Sequence, residues 1–483
     1  MTTKDWPGVP APVEADDLAA LAAGVQPLAD ERGAAVQLSS YNGVPRLEGT
    51  APVWQDVVDL GHKLSDLWYA RAGRGREVVV DLTAPATASA ATPAPGYPTT
   101  PPIPEIPRQS DIVVVGGGIS GLVTGLKLAV IGNRVTVLDG GASWGSRTTA
   151  MNNGMVHSGF DPKPGTKKAH FNVLGNVYWD RLADDLQVAC RRAGSIAVAL
   201  DSAADGRVEE YYQRALTNGV PRVEVLSGDA IRAAEPRLSK EVRRAILTPT
   251  TGYVEPVDVC RAAARQLRAA GGQIILGVTV TRVKVENGRV TGVTTNAGPI
   301  ACNVLINAAG IHADLLAEAA GARTFTLHPR RGTLIIVEDD HTNPYLYGCG
   351  PIPSQYTKGG GVTLRPSGTL SLGPSAVEQA DRDHVAPEQA EIDHILSQSY
   401  LIYPNLDTHA IVSVGAQVRA SSYGEDFVIG PAPGVIGFYN VAAMQSPGVA
   451  SIPAVANHVA HDLLDYGLIT TNNQQFTDLW RKP

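Results

Sequence analysis

The most regular apolar pattern lies in the first third of the chain. Asp111-Ile-Val-Val-Val115 is a short run of β-branched residues, which predicts a buried strand. The run ends in Gly116-Gly-Gly-Ile-Ser-Gly121, and helical spacing from Leu122 to Ala129 follows at once. A second apolar run, Arg134 to Leu138, ends in Asp139. The pattern therefore predicts a strand, a tight turn, a helix and a second strand.

Residues 15–83 show a different order of elements. Two short apolar runs flank Tyr41-Asn-Gly43 and predict a hairpin, and a further strand is expected over Glu77 to Leu82. Apolar residues at three- and four-residue steps, behind Pro52 and a Thr50 cap, predict a helix: Val53, Val57, Leu60, Leu64 and Leu67. The order α-β-β-α-β, with Val44-Pro-Arg-Leu-Glu-Gly49 on the second strand, resembles a BON domain, which implies docking to a membrane surface or a partner. An unrelated small α+β accessory module is the alternative.

A proline-rich segment separates this module from the rest. Ala84 to Pro107 contains eight prolines among alanines and threonines, a composition that favours an extended tether. We therefore expect an accessory module at 1–83 and a linker at 84–107. Later apolar runs predict strands at 196–200, 223–226, 332–337, 369–372 and 411–418, and helices at 208–216 and 386–397.

Composition narrows the class of protein. A chain of 483 residues, 44% of them apolar, can bury more than one core. The net charge of -7 is modest and no basic block stands out, which argues against a nucleic-acid partner. A polar N-terminus and the lack of a long apolar run favour a cytoplasmic protein. The cysteines lack CxxC spacing, so no disulfide framework and no metal site is expected: Cys190, Cys260, Cys302 and Cys349.

The glycine loop has the spacing of a dinucleotide site. Gly116 permits the sharp turn, Gly118 lets the backbone approach a pyrophosphate, and Gly121 lets helix and strand pack closely. The first helical turn, Ile119-Ser120, offers free N–H groups to phosphate. Asp139, about 20 residues after the glycines, can accept hydrogen bonds from a ribose hydroxyl.

The next segment combines glycines, a histidine and lysines. It reads Asn152-Asn-Gly-Met-Val-His-Ser-Gly-Phe-Asp-Pro-Lys-Pro-Gly-Thr-Lys-Lys-Ala169. This resembles the NSGxxHxGxxxKPGxxKA segment of FAD-dependent oxidoreductases of the D-amino-acid oxidase superfamily, in the branch of L-2-hydroxyglutarate oxidases and FAD-dependent glycerol-3-phosphate dehydrogenases. The resemblance covers residues 110–464. It implies an α/β fold with a Rossmann-like FAD-binding domain, residues 108–194, 251–321 and 425–483, interleaved with an antiparallel-sheet substrate domain, residues 195–250 and 322–424.

Three later segments extend the resemblance. Gly277-Val-Thr-Val280 is implied to be the strand that passes the adenine, and Val304 to Gly310 resembles a second glycine-ended FAD motif. Ala443 to Ala450 resembles the segment around the isoalloxazine, where a helix beginning near Gly448 would stabilise negative charge on the reduced ring. The further FAD contacts implied are Asn152, Gly154, Val280, Ala309, Gly310, Gln445, Ser446 and Gly448.

Oxidation of an alcohol by hydride transfer to flavin N5 needs a base and usually a cation for a remote acid group. His157 is the candidate base, and a histidine that only hydrogen-bonds the flavin or a loop is the alternative. Arg419 matches the arginine of the family's GxRP-like segment, although Ala420 stands in place of the proline. Arg331, in a PxRG-like turn, is implied to contact the flavin or the substrate anion, whereas Arg330 is expected to face solvent.

These features predict an FAD-dependent oxidoreductase acting on the C–OH of a 2-hydroxy acid, such as L-2-hydroxyglutarate, or of glycerol 3-phosphate. An amine or amino-acid oxidase and a non-catalytic flavin subunit of a redox assembly are the alternatives. The electron acceptor stays open among oxygen, a quinone and a protein. A chain starting near Arg108 is expected to keep FAD and turnover and to lose any membrane or partner association. Tyr356 is expected at the pocket wall.

Overall fold

The computed structural model describes residues 6–8, 10–73, 77–85, 104–339, 345–353, 360–407 and 411–471. Most of the tether and Tyr356 lie outside these residues. The helices are α1 (Ala15–Arg32), α2 (Trp54–Ala72), α3 (Ile119–Val130), α4 (Lys167–Leu186), α5 (Ser202–Asn218), α6 (Gly228–Ala234), α7 (Pro256–Ala269), α8 (Ala313–Ala319), α9 (Gln389–Ile402) and α10 (Gly448–Asp465). The strands are β1 (Ala35–Tyr41), β2 (Val44–Thr50), β3 (Val79–Thr83), β4 (Ile112–Val115), β5 (Val135–Asp139), β6 (Met155–Val156), β7 (Ser195–Ala199), β8 (Glu224–Ser227), β9 (Arg244–Thr248), β10 (Gly252–Tyr253), β11 (Gln273–Leu276), β12 (Val280–Glu286), β13 (Arg289–Thr295), β14 (Gly298–Ala301), β15 (Val304–Asn307), β16 (Leu327–Glu338), β17 (Gly348–Pro351), β18 (Val362–Leu364), β19 (Thr369–Leu372), β20 (Val377–Glu378), β21 (Ile411–Ser422), β22 (Val428–Pro431) and β23 (Phe438–Ala442).

The N-terminal module has the predicted element order, α1-β1-β2-α2-β3. Its sheet pairs β1 with β2 antiparallel and β2 with β3 parallel. The turn between β1 and β2 uses positive φ angles at Asn42 and Gly43, as hairpin turns of this kind require. Thr50 is not a helix cap, because it ends β2, and Val53 precedes α2 without a side-chain hydrogen bond. The likeness to a BON domain stays a prediction.

The second layer is a six-stranded sheet with the order β11-β5-β4-β15-β23-β22. Its strands are parallel except for β22, which runs antiparallel to β23. Helices α3, α4, α7 and α10 pack on one face, while β12, β13, β14 and α8 pack on the other. The chain leaves β4 toward β5 and later returns to β15 on the opposite side. The carboxyl ends of β4 and β15 therefore frame the crevice where open α/β sheets bind ligands.

The third layer is a nine-stranded sheet with the order β20-β16-β19-β18-β17-β7-β9-β8, in which β21 pairs with β16. Its pairs are antiparallel except for the parallel pair of β7 and β17. The longest pairing joins β16 to β21, from Leu327 opposite Ser422 to Val337 opposite Ile411. This pairing carries the arginines that the sequence singled out.

The α/β fold class predicted from the sequence is confirmed. The strands of the six-stranded sheet come from the predicted segments 108–194, 251–321 and 425–483, and those of the nine-stranded sheet come from 195–250 and 322–424. The exact domain boundaries stay predictions. Within the described residues no helix has both the length and the apolar character needed to cross a bilayer.

Candidate active site

A cavity of about 830 Å³ lies between the two large sheets. Its wall also includes residues of α2 from the N-terminal module. Most of the residues predicted from the sequence line it: Gly116, Gly118, Ile119, Ser120, Asp139, Asn152, His157, Ala309, Gly310, Arg419, Gln445, Ser446 and Gly448. Segments far apart in the chain thus meet around one space.

The glycine loop shows a separate physical reason for each glycine. Gly116 has φ +114°, and a side chain there would overlap the carbonyl of Ala308 at the end of β15. Gly118 faces the cavity, where an added Cβ would approach only Thr149 Oγ1, at 3.3 Å. Gly121 does not line the cavity, because its Cα packs against the carbonyl of Gly116. The loop therefore leaves backbone accessible at Gly118 and holds α3 close to β4.

Asp139 holds the end of β5 in place beside this loop. Its Oδ2 accepts a hydrogen bond from Gly117 N and its Oδ1 accepts one from Gly141 N, both at 2.6 Å. Each carboxylate oxygen keeps a further lone pair, so a sugar hydroxyl can still donate to it. Asp139 can therefore bind a ribose without releasing the loop.

Besides Gly121, two of the predicted FAD contacts are not among the described residues that line the cavity. Gly154 has φ +70°, and a side chain there would overlap the carbonyl of Val254, so its role is to fit the turn. Val280 begins β12 and is not among the described residues that line the cavity. The sequence predicts a strand over Gly277–Val280. In the structure Gly277–Thr279 form a turn, and the strand begins only at Val280. Gly277 has a positive φ, and the turn's amides donate to the carbonyls of Asp139 and Gly141.

The C-terminal segment presents a helix N-terminus to the cavity. Helix α10 begins at Gly448, where the sequence predicted it, and Pro447 before it makes no side-chain cap. Gln445 Nε2 donates to Glu425 Oε2 at 2.8 Å, and Gln445 Oε1 accepts from Ser421 Oγ at 3.0 Å. The free N–H groups of the first turn of α10 can stabilise negative charge in the cavity.

His157 lies in the cavity wall beside the segment that precedes this helix. Its Nε2 is 3.3 Å from Ser446 Oγ. Its backbone carbonyl accepts hydrogen bonds from Asn172 Nδ2 at 2.6 Å and Asn176 Nδ2 at 3.0 Å. Both asparagines lie on α4, so this helix holds the backbone at His157.

The two adjacent arginines of β16 point in directions opposite to those expected. Arg331, predicted to contact flavin or substrate, has a side chain that is 3% exposed and pairs with Glu388 and Glu391 on the α9 side of the sheet. Arg330, expected to face solvent, is equally buried and pairs with Glu378 and Glu425. Neighbouring residues of a strand face opposite sides of the sheet, so only one of the two can face the cavity side.

Arg419 lies on the cavity wall, as the resemblance implied. It packs over Gly332 and donates to the carbonyl of Ser375. Within the described part of the chain no carboxylate forms an ion pair with it. Burial, and then the neighbouring charge of Arg330, lower the pKa of its guanidinium to about 10, which still leaves it charged at neutral pH.

The sequence reasoning missed several residues of the wall. Glu425 bridges Arg330 and Gln445, and no local motif marked it. Burial alone would raise its pKa, but Lys168 and Arg330 overcome this and hold the pKa well below its usual range. Three more residues come from α2: His62, Asp66 and Tyr69. These residues are brought to the wall by contacts between segments distant in sequence, which no local pattern specifies.

Comparison with known proteins decides the family. Residues 111–461 match the model of the DAO family, described as FAD dependent oxidoreductase. The chain belongs to this family. The assignments of FAD as cofactor and of oxidoreductase as enzyme class, predicted from the sequence, are confirmed.

Relatives and solved structures agree with that membership. Glycerol 3-phosphate dehydrogenase from Caloramator mitchellensis is 27% identical over 349 residues, 72% of each chain. L-2-hydroxyglutarate dehydrogenase from Escherichia coli K12 is 28% identical over 272 residues, 55% of this chain and 64% of that protein. The structure of reduced, FAD-bound L-alpha-glycerophosphate oxidase from Mycoplasma pneumoniae superposes with a TM-score of 0.70 at 24% identity, covering 74% of this chain and 95% of that one.

The residues of this oxidoreductase fit FAD. The face of Gly118 is open to the cavity, and a side chain there would fill the space needed by a pyrophosphate. Asp139 lies where a ribose would be held, and Gly448 opens an uncapped helix toward the same space. The cavity is also large enough for a bound cofactor and a small substrate.

Proposed function

We propose that the oxidoreductase oxidises the C–OH group of a small anionic substrate, either glycerol 3-phosphate or a 2-hydroxy acid such as L-2-hydroxyglutarate. The observation that supports this most strongly is Arg419. A buried guanidinium that has no carboxylate partner among the described residues is costly, and a substrate anion in the cavity would supply the missing charge. Planar guanidinium also suits two-point binding of a carboxylate or phosphate.

Apart from Lys163, which is exposed, the other cations among the described residues of the wall are already engaged. Arg207 donates to the carbonyl of Pro353, and Arg214 pairs with Glu210 and donates to the carbonyl of Asp161. Lys168 lies 3.6 Å from Glu425. Arg419 is therefore the cation best placed to bind the acid group of a substrate.

His157 is the group that would take the hydroxyl proton. When FAD is bound, it supplies the acceptor for the hydride that leaves the substrate carbon. Nε2 of His157 points into the cavity beside Ser446 and can accept a proton from a hydroxyl held there. Asn172 and Asn176 hold the backbone of His157, so the residue stays at the cavity wall while the anion is bound at Arg419.

Anaerobic reduction of the bound flavin tests this proposal. Glycerol 3-phosphate, L-2-hydroxyglutarate, the uncharged analogue glycerol and a set of amino acids are each mixed with the purified protein. We expect bleaching by one of the two anions at a rate far above that with glycerol. Bleaching by amino acids alone would replace this proposal with an amine or amino-acid oxidase.

The role of Arg419 is tested with the anion that reduces the flavin best. Loss of a charge-assisted buried contact is worth about 2–4 kcal/mol, so Arg419→Ala should lower kcat/KM by roughly 30- to 1000-fold. Arg419→Lys should recover only part of this, because an ammonium lacks the planar fork. Arg181→Ala, on the exposed face of α4, is the matched control. An Arg419→Ala variant as active as the wild type would show that the anion binds elsewhere.

A further inference from the structure

We propose that His62, His328 and Glu425 form a binding site for a divalent transition-metal ion of the zinc type, at the contact between the N-terminal module and the two large sheets. One ligand atom of each residue lies within 4.8 Å of the corresponding atoms of the other two. His62 comes from α2, His328 from β16, and Glu425 from the turn after β21. The site would therefore join three segments that are distant in sequence.

Both imidazoles are oriented by a hydrogen-bond acceptor behind them. His62 Nδ1 lies 2.9 Å from the carbonyl oxygen of Tyr423, and His328 Nδ1 lies 2.8 Å from Glu378 Oε2. Neither acceptor has a proton to give, so each Nδ1 is the donor and each Nε2 is the nitrogen that would coordinate a metal ion. An acceptor behind a ligating histidine is the usual arrangement at metal sites, because it fixes the tautomer and the ring.

The buried nitrogen that a cation would satisfy is Nε2 of His328. His62 Nε2 is 3.9 Å from Glu425 Oε1, and both atoms are acceptors. His328 is fully buried, and its Nε2 makes no hydrogen bond with any described residue. A buried polar nitrogen without a partner costs free energy, and a cation bound by His62 and Glu425 would also satisfy this nitrogen of His328.

The charges around the cluster favour some ions over others. Arg330 Nη2 donates to Glu425 Oε1 at 2.7 Å, and Lys168 Nζ lies 3.6 Å from Glu425 Oε2. These two cations offset Glu425 and Glu378, so a bound ion must rely mainly on the two imidazole nitrogens. Two histidines and one carboxylate suit Zn²⁺ or Co²⁺, whereas Mg²⁺ and Ca²⁺ need several oxygen ligands.

Such an ion would tie the accessory module to the cavity wall. Glu425, its carboxylate ligand, accepts a hydrogen bond from Gln445, which lines the cavity. The ion would thus fix the module, the turn after β21 and the start of the C-terminal segment together. The spacing of the cysteines predicts no metal site, and the two histidines are too far apart in the chain to form a recognisable ligand motif.

Metal titration of the full-length, FAD-containing protein tests the site without any activity assay. Protein treated with a chelator is titrated with Co²⁺, and binding is followed by visible absorption at wavelengths longer than those of the flavin. Zn²⁺ is then used to displace the Co²⁺. We expect one ion per chain, displacement by Zn²⁺, and no displacement by Mg²⁺ or Ca²⁺.

Variants identify the ligands. His62→Ala and His328→Gln should abolish binding, and Glu378→Gln should weaken it by about 10- to 100-fold, because it disturbs only the orientation of His328. His312→Ala, at a partly exposed histidine 3.6 Å from Asp383, is the control and should bind as the wild type does. If His328→Gln fails to fold, His62→Ala decides alone. Absence of saturable binding in the wild type, or full binding in His62→Ala, would overturn the proposal.

Discussion

Arg419 lies directly opposite Arg330 in the register of β21 against β16. Cross-strand partners share a face of the sheet, so two guanidiniums stand side by side next to the cavity. Glu378 and Glu425 both pair with Arg330 and offset the repulsion. Arg419 is left as the partner whose charge is available to a ligand. Arg330 therefore contributes to the structure of the wall, and Arg419 is the residue that we propose binds the substrate.

Because Arg331 pairs with glutamates away from the cavity, we expect its replacement to lower stability without lowering the affinity for substrate. Arg331→Met would leave Glu391, which is buried, without its cation, and breaking a buried pair costs about 3–5 kcal/mol. The free energy of unfolding in urea should fall by an amount of this order, while KM for the anionic substrate stays at the wild-type value. A raised KM with unchanged stability would restore Arg331 to the binding site.

Substitutions at two glycines of the same loop are predicted to have different effects, one on FAD binding and the other on stability. Gly118→Val projects into the cavity and meets only the rotatable hydroxyl of Thr149, so the protein should fold and lose most of its FAD. Gly121→Ala would collide with the carbonyl of Gly116 and push α3 from β4, so stability should fall by about 1–3 kcal/mol or more. The ratio of flavin to protein absorbance and urea unfolding of the apoproteins distinguish the two. Normal FAD content in Gly118→Val would remove this loop from the cofactor site.

The N-terminal module is now expected to support the cavity, contrary to the separability predicted from its sequence. Tyr423 belongs to the module's apolar core, and Gly61 packs against its ring. A chain starting at Arg108 would expose Tyr423 and open the wall formed by α2. We expect it to release FAD more readily on gel filtration and to unfold at a lower temperature.

Producing the module and the rest of the protein as two separate chains shows whether the effect comes from the missing module or from the missing tether. Residues 1–85 produced together with 108–483 should restore FAD retention, because the packing surfaces are still present. If the chain starting at Arg108 retains FAD and thermal stability unchanged, the contact of α2 with Tyr423 contributes nothing. The module is then separable from FAD binding, as its sequence predicts.

Glu77 predicts how stability depends on pH. Burial, and then repulsion from Asp426, raise its pKa from 4.5 to about 7. The folded protein thus binds this proton more tightly than the unfolded chain, so its stabilising effect is full below pH 4.5 and is lost as pH rises through 7. The difference between 4.5 and 7, at about 1.36 kcal/mol per pH unit, amounts to roughly 3 kcal/mol at most.

The test compares urea unfolding between about pH 5 and pH 8. The wild type should lose stability over this range, and Glu77→Gln should lose less, because the amide keeps an acceptor for the Tyr69 hydroxyl without titrating. Glu224→Gln, at an exposed position on β8, is the control and should follow the wild type. Parallel curves for wild type and Glu77→Gln would contradict the assignment.

Local signals in the sequence were sufficient for several elements of the cofactor half of the fold. The glycine spacing from Gly116 to Gly121, the acid at the end of β5 and the helix start at Gly448 all depend on neighbours in the chain. Backbone conformation and helix periodicity are decided over such short distances, which is why these elements lie where they were predicted.

Features set by contacts between distant segments could not be predicted in the same way. The side to which Arg330 and Arg331 point depends on the pairing of β16 with β20 and β21, which no local pattern specifies. The turn at Gly277 is held by carbonyls of a different strand. The docking of α2 depends on Tyr423, and its own amphipathic pattern did not show what would cover it.

The contact between α2 and Tyr423 can form only late in synthesis. His62 and Tyr423 are 361 residues apart, and ribosomes add about 5–20 residues per second. The face of α2 that carries Gly61 and His62 therefore waits about 20 to 70 s, after it leaves the ribosome, for the residue that will cover it. During that interval the module has a solvent-exposed surface that other nascent chains can contact. The first part of the protein to be made is thus among the last to complete its packing.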